Sequence, residues 1–451
     1  MKRKQIILSL LLSVFLFASA SIAQDLPAPT PEEESEDWEA GLAKDLEDLD
    51  NKNNKLQDSR GTASPVQMNQ NTNRSAQNLM MDISLAVDIV GQWDRQKPQV
   101  TPNGLDVRSA EIGFMGAVDQ WLRGLLLIAA HEENGAYFFE IHEAAVEFPF
   151  LPFNTSLKLG TMFMDVGRLN RIHEHDRPFT MTPIVHEMLL DSESIVDTGG
   201  ELSILFPWSF LTQELVLGST NGQKYGHSHT AGIKKNNPLG YAHLKNFYYF
   251  GNNWGSQFGF TGLRYEPTED SENERYMYGM DAVVRWNRSN LREFLVMGEL
   301  WYNEERFPSN KVTYDPATGT LTPPPSYLPY PGRPGKRIQR GHYLFLMYKF
   351  HQLWSAGFRY DFFTDYSLKK QDGYRANNKI EAHTLQVTFR PSEFSYLRAT
   401  IERRFQRDFS SQTQQTSLAQ GLVVTPDFEK VDYRYYIQAM FILGAHPAHT
   451  Y

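Results

Sequence analysis

The sequence predicts an all-β fold, a transmembrane antiparallel β-barrel of about sixteen strands that follows a short helical or disordered periplasmic segment. Three observations lead to this prediction. From Leu79 onward, apolar and polar residues alternate over many segments, and the connections between these segments are short and long in turn. Outside the N-terminal region, no stretch approaches the ~20 consecutive apolar residues that a membrane-spanning helix needs.

The composition excludes several classes of protein. The chain has 451 residues, a net charge of -9 and no cysteine. Without cysteine it can form neither a disulfide framework nor a thiolate metal site. The excess of acidic residues argues against a basic surface for nucleic acid, so we expect no nucleic-acid partner.

The N-terminus, residues 1–23, has the layout of a secretory signal peptide. A basic start precedes an apolar run from Ile6 to Phe17, and the small residues Ser21 and Ala23 stand at the -3 and -1 positions of a cleavage site after Ala23. The alternative is a membrane anchor helix, but the apolar run is short for spanning a bilayer. We therefore expect the mature protein to leave the cytoplasm and to reside in the bacterial outer membrane.

Residues 24–77 are predicted to form an acidic periplasmic linker that contains a short coiled coil. Leucine and asparagine residues with alternating spacings of four and three make up the candidate seam: Leu42, Leu46, Leu49, Asn53 and Leu56. Such a segment would hold subunits together, and we expect a homotrimer. The alternative is an acidic spacer without regular structure, because so short a coiled coil is marginal by itself.

Residues 78–451 are assigned to the barrel. In the first strand, apolar residues alternate with polar or small ones: Met81, Ile83, Leu85, Val87 and Ile89 against Asp82, Ser84, Ala86 and Asp88. A soluble barrel would turn its apolar face inward. Long, numerous strands with aromatic residues at their ends fit a barrel that is apolar outside and wet inside. Lipid and the barrel-assembly machinery are then expected partners.

Three motifs carry a resemblance to known proteins. They are LKLGTMFMDVGRLNRIHEHDRPFTMTP from Leu157 to Pro183, DTGGELSILFP from Asp197 to Pro207, and the terminal LGAHPAHTY. They resemble a little-characterised family of bacterial outer-membrane porin-like β-barrels, and more distantly the chain is similar to the phosphate-selective porins O and P. The resemblance implies a channel of sixteen strands with short periplasmic turns and longer extracellular loops.

The resemblance also gives a meaning to the third long loop, which in porins of sixteen strands folds into the lumen and narrows it. In this chain that loop carries HEHDRPF. Its charged side chains would line a constriction and decide which solutes pass: Arg168, Arg171, His173, Glu174, His175, Asp176 and Arg177.

Three residues of the same loop are also candidate ligands of a divalent metal, zinc first: His173, His175 and Asp176. The alternative is that Asp176 and Arg177 form a structural salt bridge while the histidines point to water. Apart from zinc, no cofactor is expected.

Enzymatic motifs are missing from the sequence, and we expect no catalysis. His142–Glu143 and His186–Glu187 both lack the second histidine of a zinc-protease motif, and there is neither a nucleophile elbow nor a phosphate-binding loop. The function predicted is an outer-membrane porin that allows passive diffusion of small hydrophilic solutes or ions. The alternatives are a selective channel or binding protein for a divalent metal, and a surface adhesion barrel.

Overall fold

The computed structural model of the chain describes residues 81–94, 103–133, 136–208, 211–222, 238–251, 253–266, 274–289, 292–307, 313–315, 320–322, 335–369, 375–408 and 428–444. The signal peptide of residues 1–23 and the linker of residues 24–77 lie outside these ranges and stay predictions.

The described residues contain eighteen strands: β1 (Met81–Asp94), β2 (Gly104–Ala117), β3 (Arg123–Glu133), β4 (Ala136–Leu151), β5 (Thr155–Phe163), β6 (Val196–Pro207), β7 (Thr212–Thr220), β8 (Leu239–Phe250), β9 (Trp254–Tyr265), β10 (Glu274–Ser289), β11 (Arg292–Phe307), β12 (Thr313–Asp315), β13 (Thr320–Thr322), β14 (Gly335–His351), β15 (Trp354–Lys369), β16 (Arg375–Ser392), β17 (Ser395–Asp408) and β18 (Phe428–Gly444). A 3-10 turn spans Glu174–Asp176, and one short helix, α1, spans Ile184–Leu189. None of the helices in the described part of the chain has the length and apolar character that a membrane crossing requires.

Sixteen of these strands form a closed antiparallel barrel. Each pairs with its sequence neighbours in the ring, and β1 closes the ring by pairing with β18, where Ser84 lies opposite Gly444. The short strands β12 and β13 pair only with each other. Because a closed sheet has no edge, its backbone N–H and C=O groups pair within the sheet, as a membrane barrel requires. The predicted fold class is confirmed.

The alternation in β1 shows why these residues form a wall with two different faces. Ser84, Ala86 and Asp88 are buried on the inner face, whereas the intervening Ile83 is exposed and Leu85 is partly exposed on the outer one. Successive side chains of a strand point to opposite faces, so a period of two in the sequence separates the two surfaces.

Exposed aromatic side chains gather near the short connections, an end of the barrel that we call the turn end. They are Trp121, Phe150, Phe153, Trp208, Tyr249, Phe250, Trp254, Phe350 and Phe394. Membrane barrels carry such a girdle where the hydrocarbon meets the headgroups. The opposite end, where the connection between β5 and β6 begins, is called the loop end.

The interior differs from the wet lumen that the sequence predicts. Some inward side chains of β11, β14 and β15 are apolar and fully buried, including Trp301, Phe345 and Phe363, and they form a hydrophobic core inside the barrel. Buried charged residues of the same strands, such as Glu299 and Asp361, lie beside this core. The physical reason is that residues 164–195 occupy this side of the lumen and need an apolar surface to pack against. Charged residues such as Asp88 and Glu111 line the inner face elsewhere.

Candidate functional site

Residues 164–195, which we call the lumenal loop, cross the inside of the barrel. The loop leaves β5 and reaches strands around β15, which lies half-way round the sheet order. There the Tyr396 hydroxyl donates to the His175 carbonyl at 2.6 Å, and the Gln386 amide donates to the Pro178 carbonyl at 2.6 Å. The loop is therefore fastened to the wall opposite its point of departure.

The start of the loop is fixed by contacts with β9 and β11. Gly167 adopts a φ of 63°, a conformation that favours glycine, and its N–H donates to the Thr261 hydroxyl at 3.0 Å. The Leu169 N–H donates to Glu299 Oε1 at 3.0 Å. Asn170 joins the two ends of the loop, because its Oδ1 accepts from the Ile195 N–H at 2.7 Å.

The middle of the loop packs on an apolar surface of the wall, which we call the apolar seat and which includes Tyr343 and Phe345 of β14. Phe179 contacts Tyr343 and Phe345 edge to face, with ring centroids 5.9 Å and 5.4 Å apart. Ile184 and Val185 of α1 are also fully buried in this core. Since burying one such side chain contributes about 1.5 to 3 kcal/mol, the seat favours the inserted position of the loop.

Arg177 lies beneath the loop surface, with 1% of the residue exposed. Its guanidinium donates to Ile172 O at 3.2 Å, to Thr182 Oγ1 at 2.7 Å and to Ser194 Oγ at 2.7 Å. Burial lowers the pKa of Arg177, opposed by the charge of Glu174. Arg177 therefore holds separate parts of the lumenal loop together.

A cavity of about 440 Å³ lies between the lumenal loop and the wall. Its acidic lining residues are Glu111, Glu143, Glu147, Asp165 and Glu214. Its basic lining residues are Arg123, Lys158, Arg168, Arg171 and Lys245. The two signs are equal in number, so the cavity is strongly polar without a large net charge.

Among the seven residues predicted to line a constriction, Arg168, Arg171 and His173 line this cavity. The Arg168 guanidinium donates to Gln257 Oε1 at 2.5 Å. Arg171 donates to Asp165 Oδ2 at 2.9 Å, while 42% of its side chain stays exposed. Both arginines thus combine a fixed position with access to water.

The other predicted residues lie in the loop but do not line the cavity. Glu174 accepts from Arg108 at 2.9 Å. His175 lies between Glu111 Oε1 and Asp176 Oδ2, each at 3.5 Å. Burial lowers the pKa of His175, but the charges of Glu111 and Asp176 outweigh this and raise the pKa to about 9. Since His175 is buried, as is His173, the alternative in which the histidines point to water is wrong.

A histidine cluster that the sequence analysis did not identify as a site lies between the loop and strands β3 and β4. His131 Nε2 is 2.9 Å from His142 Nε2, and Glu140 Oε1 is 3.1 Å from the same His142 nitrogen. Glu193 Oε2, from the end of the loop, is 3.9 Å from His131 Nε2. The only available signal was the Glu140-x-His142 spacing, which places both side chains on one face of a strand.

Two groups of side chains within the described residues bring possible metal-donor atoms within 4.8 Å of one another: His131 with Glu140, His142 and Glu193, and Glu111 with His142 and His173. Of the predicted ligands, only His173 belongs to either group. His175 and Asp176 lie beside the second group.

Comparisons with known proteins bear on the fold. No family model matches the sequence. An uncharacterized protein of Aquifex aeolicus (strain VF5) is 23% identical over 373 residues, which are 77% of this chain and 70% of that protein. The outer membrane channel DcaP of Acinetobacter baumannii is 10% identical and superposes with a TM-score of 0.52 over 80% of this chain and 97% of its own. An anion-selective porin from Comamonas acidovorans gives 10% identity and a TM-score of 0.47, over 80% of this chain and 98% of that porin.

Proposed function

We propose that the protein is an outer-membrane channel for the passive diffusion of small hydrophilic solutes or ions, and that the lumenal loop sets its width. The observation that carries the proposal is the polar cavity between this loop and the wall, lined by charges of both signs. The fold that the chain shares with the channel DcaP supports it.

The arrangement has the physical properties that a diffusion channel needs. A loop that is held on both sides of the barrel narrows the lumen and does not swing across the remaining passage. Fixed charges of both signs replace part of the hydration shell of a polar solute, and near balance keeps any single ion from binding too tightly to leave. We therefore infer weak selectivity for ion sign.

The proposed location is the bacterial outer membrane, where the barrel-assembly machinery would insert the chain. The apolar outer face of the wall and the aromatic girdle at the turn end support this location. We also propose a homotrimer held in part by the candidate coiled coil of residues 24–77. The more specific likeness to the phosphate-selective porins O and P stays a prediction.

Reconstitution tests the channel function. Purified, folded protein is added to a planar lipid bilayer in potassium chloride, and we expect discrete conductance steps with a reversal potential close to that of an unselective pore. Heat-unfolded protein from the same preparation is the control. Failure of folded protein to conduct, together with no uptake of small sugars by liposomes that contain it, would contradict the proposal.

A second candidate function is a selective channel or binding protein for a divalent metal, zinc first. It is favoured by Glu111 and His173, which line the cavity. Together with His142 they bring three possible metal-ligand atoms within 4.8 Å of one another. Micromolar zinc should then alter the current of the wild-type channel but not that of His173→Ala. A wild-type current that zinc leaves unchanged would remove the metal-channel candidate and leave the general channel standing.

A further inference from the structure

We propose a binding site for one divalent first-row transition-metal ion at the loop end of the barrel wall, formed by two imidazoles and two carboxylates: His131, Glu140, His142 and Glu193. The site does not depend on the channel function, because it would bind the ion whether or not solutes pass.

The spacing of the donor atoms fits a single small ion. Ligand atoms that surround zinc tetrahedrally at bond lengths of 2.0 to 2.1 Å stand about 3.3 Å from one another. The His131 and His142 Nε2 atoms are 2.9 Å apart, and Glu140 Oε1 is 3.1 Å from the His142 nitrogen and 3.6 Å from the His131 nitrogen. Glu193 Oε2 completes the group at 3.9 Å from His131 Nε2.

The other nitrogen of each ring faces a hydrogen-bond acceptor. His131 Nδ1 lies 3.2 Å from the Arg108 carbonyl oxygen, which can only accept, so this nitrogen is the donor. His142 Nδ1 lies 3.4 Å from Glu111 Oε1. When Nδ1 carries the proton of a neutral imidazole, Nε2 presents its lone pair. A carboxylate or carbonyl behind a histidine is the usual support of a metal ligand.

If both rings carry their proton on Nδ1, two nitrogen lone pairs face each other at 2.9 Å, and they repel each other unless a cation lies between them. A single proton shared by the two rings would satisfy the nitrogens alone. The carboxylates of Glu140 and Glu193 approach the same point, and the donor atoms of all four side chains lie within 4.8 Å of one another. A doubly charged ion uses all four donors at once, which a proton does not.

The types of donor select the class of metal. Calcium and magnesium take oxygen ligands, whereas imidazole suits zinc, copper, nickel and iron. Two imidazoles with two carboxylates and no thiolate therefore indicate a borderline divalent transition metal. Zinc and cobalt are the practical probes, because zinc accepts four ligands and cobalt reports its geometry through its visible absorption.

A β-bulge lies at the ligand His142 and turns the next residue, Glu143, inward. Leu127 pairs with Glu143 and Ile128 with Ile141, so His142 is the extra residue of β4. As a result, His142 and Glu143 both point inward, each with 6% exposed, while Ile141 is 48% exposed on the outer face. Bulges that re-aim a side chain are common next to functional sites.

The ion would also connect the lumenal loop to the wall, since Glu193 belongs to the loop and the other ligands to strands. The two carboxylates are the ligands nearest to solvent. Side-chain exposure is 22% for Glu140 and 26% for Glu193, against 10% for His131 and 7% for His142. An ion would meet the acidic groups first and the imidazoles last.

The test uses the full chain, purified in detergent, folded and stripped by a chelator. Zinc is titrated against a chromophoric competitor, and cobalt binding is followed by visible absorption. The chain has 13 histidines, so the informative quantity is the difference between wild type and variants rather than total zinc. We expect one tight ion in the wild type with a tetrahedral cobalt spectrum, and at least about a tenfold loss of affinity in His131→Ala and in Glu193→Gln.

Two further variants define the outcome. His383→Ala removes an exposed histidine of β16 and should leave the tight ion in place. Glu111→Gln keeps all four ligands but weakens the support of His142, so we expect about a 10- to 100-fold loss of affinity. Glu193→Gln changes a partly exposed loop residue, which protects the test against unfolding of the barrel.

Equal zinc affinity in the wild type, His131→Ala and Glu193→Gln would overturn the proposal in favour of a shared proton. An effect of His131→Ala without one of Glu193→Gln would overturn the four-ligand site. Because binding is measured in detergent, a negative result leaves the channel proposal untouched, and a failed conductance measurement leaves the metal site untouched.

Discussion

Individual arginines of the lumenal loop differ in their tasks, although the sequence gives them the same chemistry. The guanidinium of Arg177 is enclosed by oxygen atoms of its own loop, including Thr182 and Ser194. Those of Arg168 and Arg171 reach the cavity. A planar fork with five donors suits both tasks, and only its surroundings decide between them.

Replacing Arg177 with alanine should loosen the loop without opening the barrel. The change leaves several buried acceptors without their charged donor, at a cost of about 3 kcal/mol. We expect chymotrypsin to cleave at Phe179, which is buried in the wild type. Arg171→Ala is the matched control and should resist cleavage, since the Arg171 side chain is 42% exposed. Equal protease resistance of Arg177→Ala and the wild type would contradict this role.

Replacing both Arg168 and Arg171 with alanine should raise the preference of the channel for cations. The cavity lining would then hold five acids against three bases instead of five against five. We expect the ratio of cation to anion permeability to rise about twofold or more, measured as a reversal potential across a salt gradient. Arg306→Ala removes an arginine outside the cavity lining and should leave the ratio unchanged. Should both variants shift the ratio alike, the cavity would not be the selective region.

At the scale of elements, the lumenal loop and the wall behave as one packed unit. The loop contributes Phe179 and the residues of α1, and β14 contributes Tyr343 and Phe345 to the same core. Movement of the loop between open and closed positions is unfavourable, because it would expose the apolar side chains of this core to water. We therefore expect the loop to keep its position inside the lumen.

An engineered disulfide tests whether the loop lies inside the lumen when the protein is in a membrane. Thr180 Oγ1 is 3.0 Å from Thr400 Oγ1 of β17, and the chain has no cysteine of its own. Changing both threonines to cysteine should give a rapid cross-link and leave the conductance unchanged. The control pair is Thr161 of β5 and Thr198 of β6, whose Oγ1 atoms are 2.7 Å apart. When both are changed to cysteine, this pair should cross-link whatever the position of the loop. Cross-linking of the control pair alone would show that the loop is outside the lumen.

For the molecule as a unit, the closed ring of sixteen strands explains how a chain with 22% charged residues can lie in a membrane. The backbone groups of the sheet pair with one another, and many of its charged side chains are buried on the inner face. We expect the protein to fractionate with the outer membrane and to migrate as a heat-modifiable band on gels, because the barrel resists detergent until it is heated. Recovery in the soluble periplasm after mild lysis would contradict the proposed location.

The oligomer is a second property of the whole molecule. If the candidate coiled coil of residues 24–77 holds a trimer, changing Leu46 and Leu49 to aspartate should weaken it and leave the barrel folded, since buried charges disrupt the seam. Gentle electrophoresis measures the oligomer, and heat-modifiability measures the barrel. A trimer unaffected by both substitutions would assign the subunit contacts to another surface.

Strands such as β1, and the inward and outward faces of such a strand, could be read from the alternation of residues, because a period of two is a local property that needs no knowledge of distant contacts. Leu85 and Asp88 of β1 could be assigned in this way. What fills the lumen could not be read in this way. The inward aromatic residues of β14 and β15, the burial of Arg177, and the approach of His142 to His131 depend on contacts between separate segments of the chain. Such contacts form only when the ring closes and the loop packs inside it.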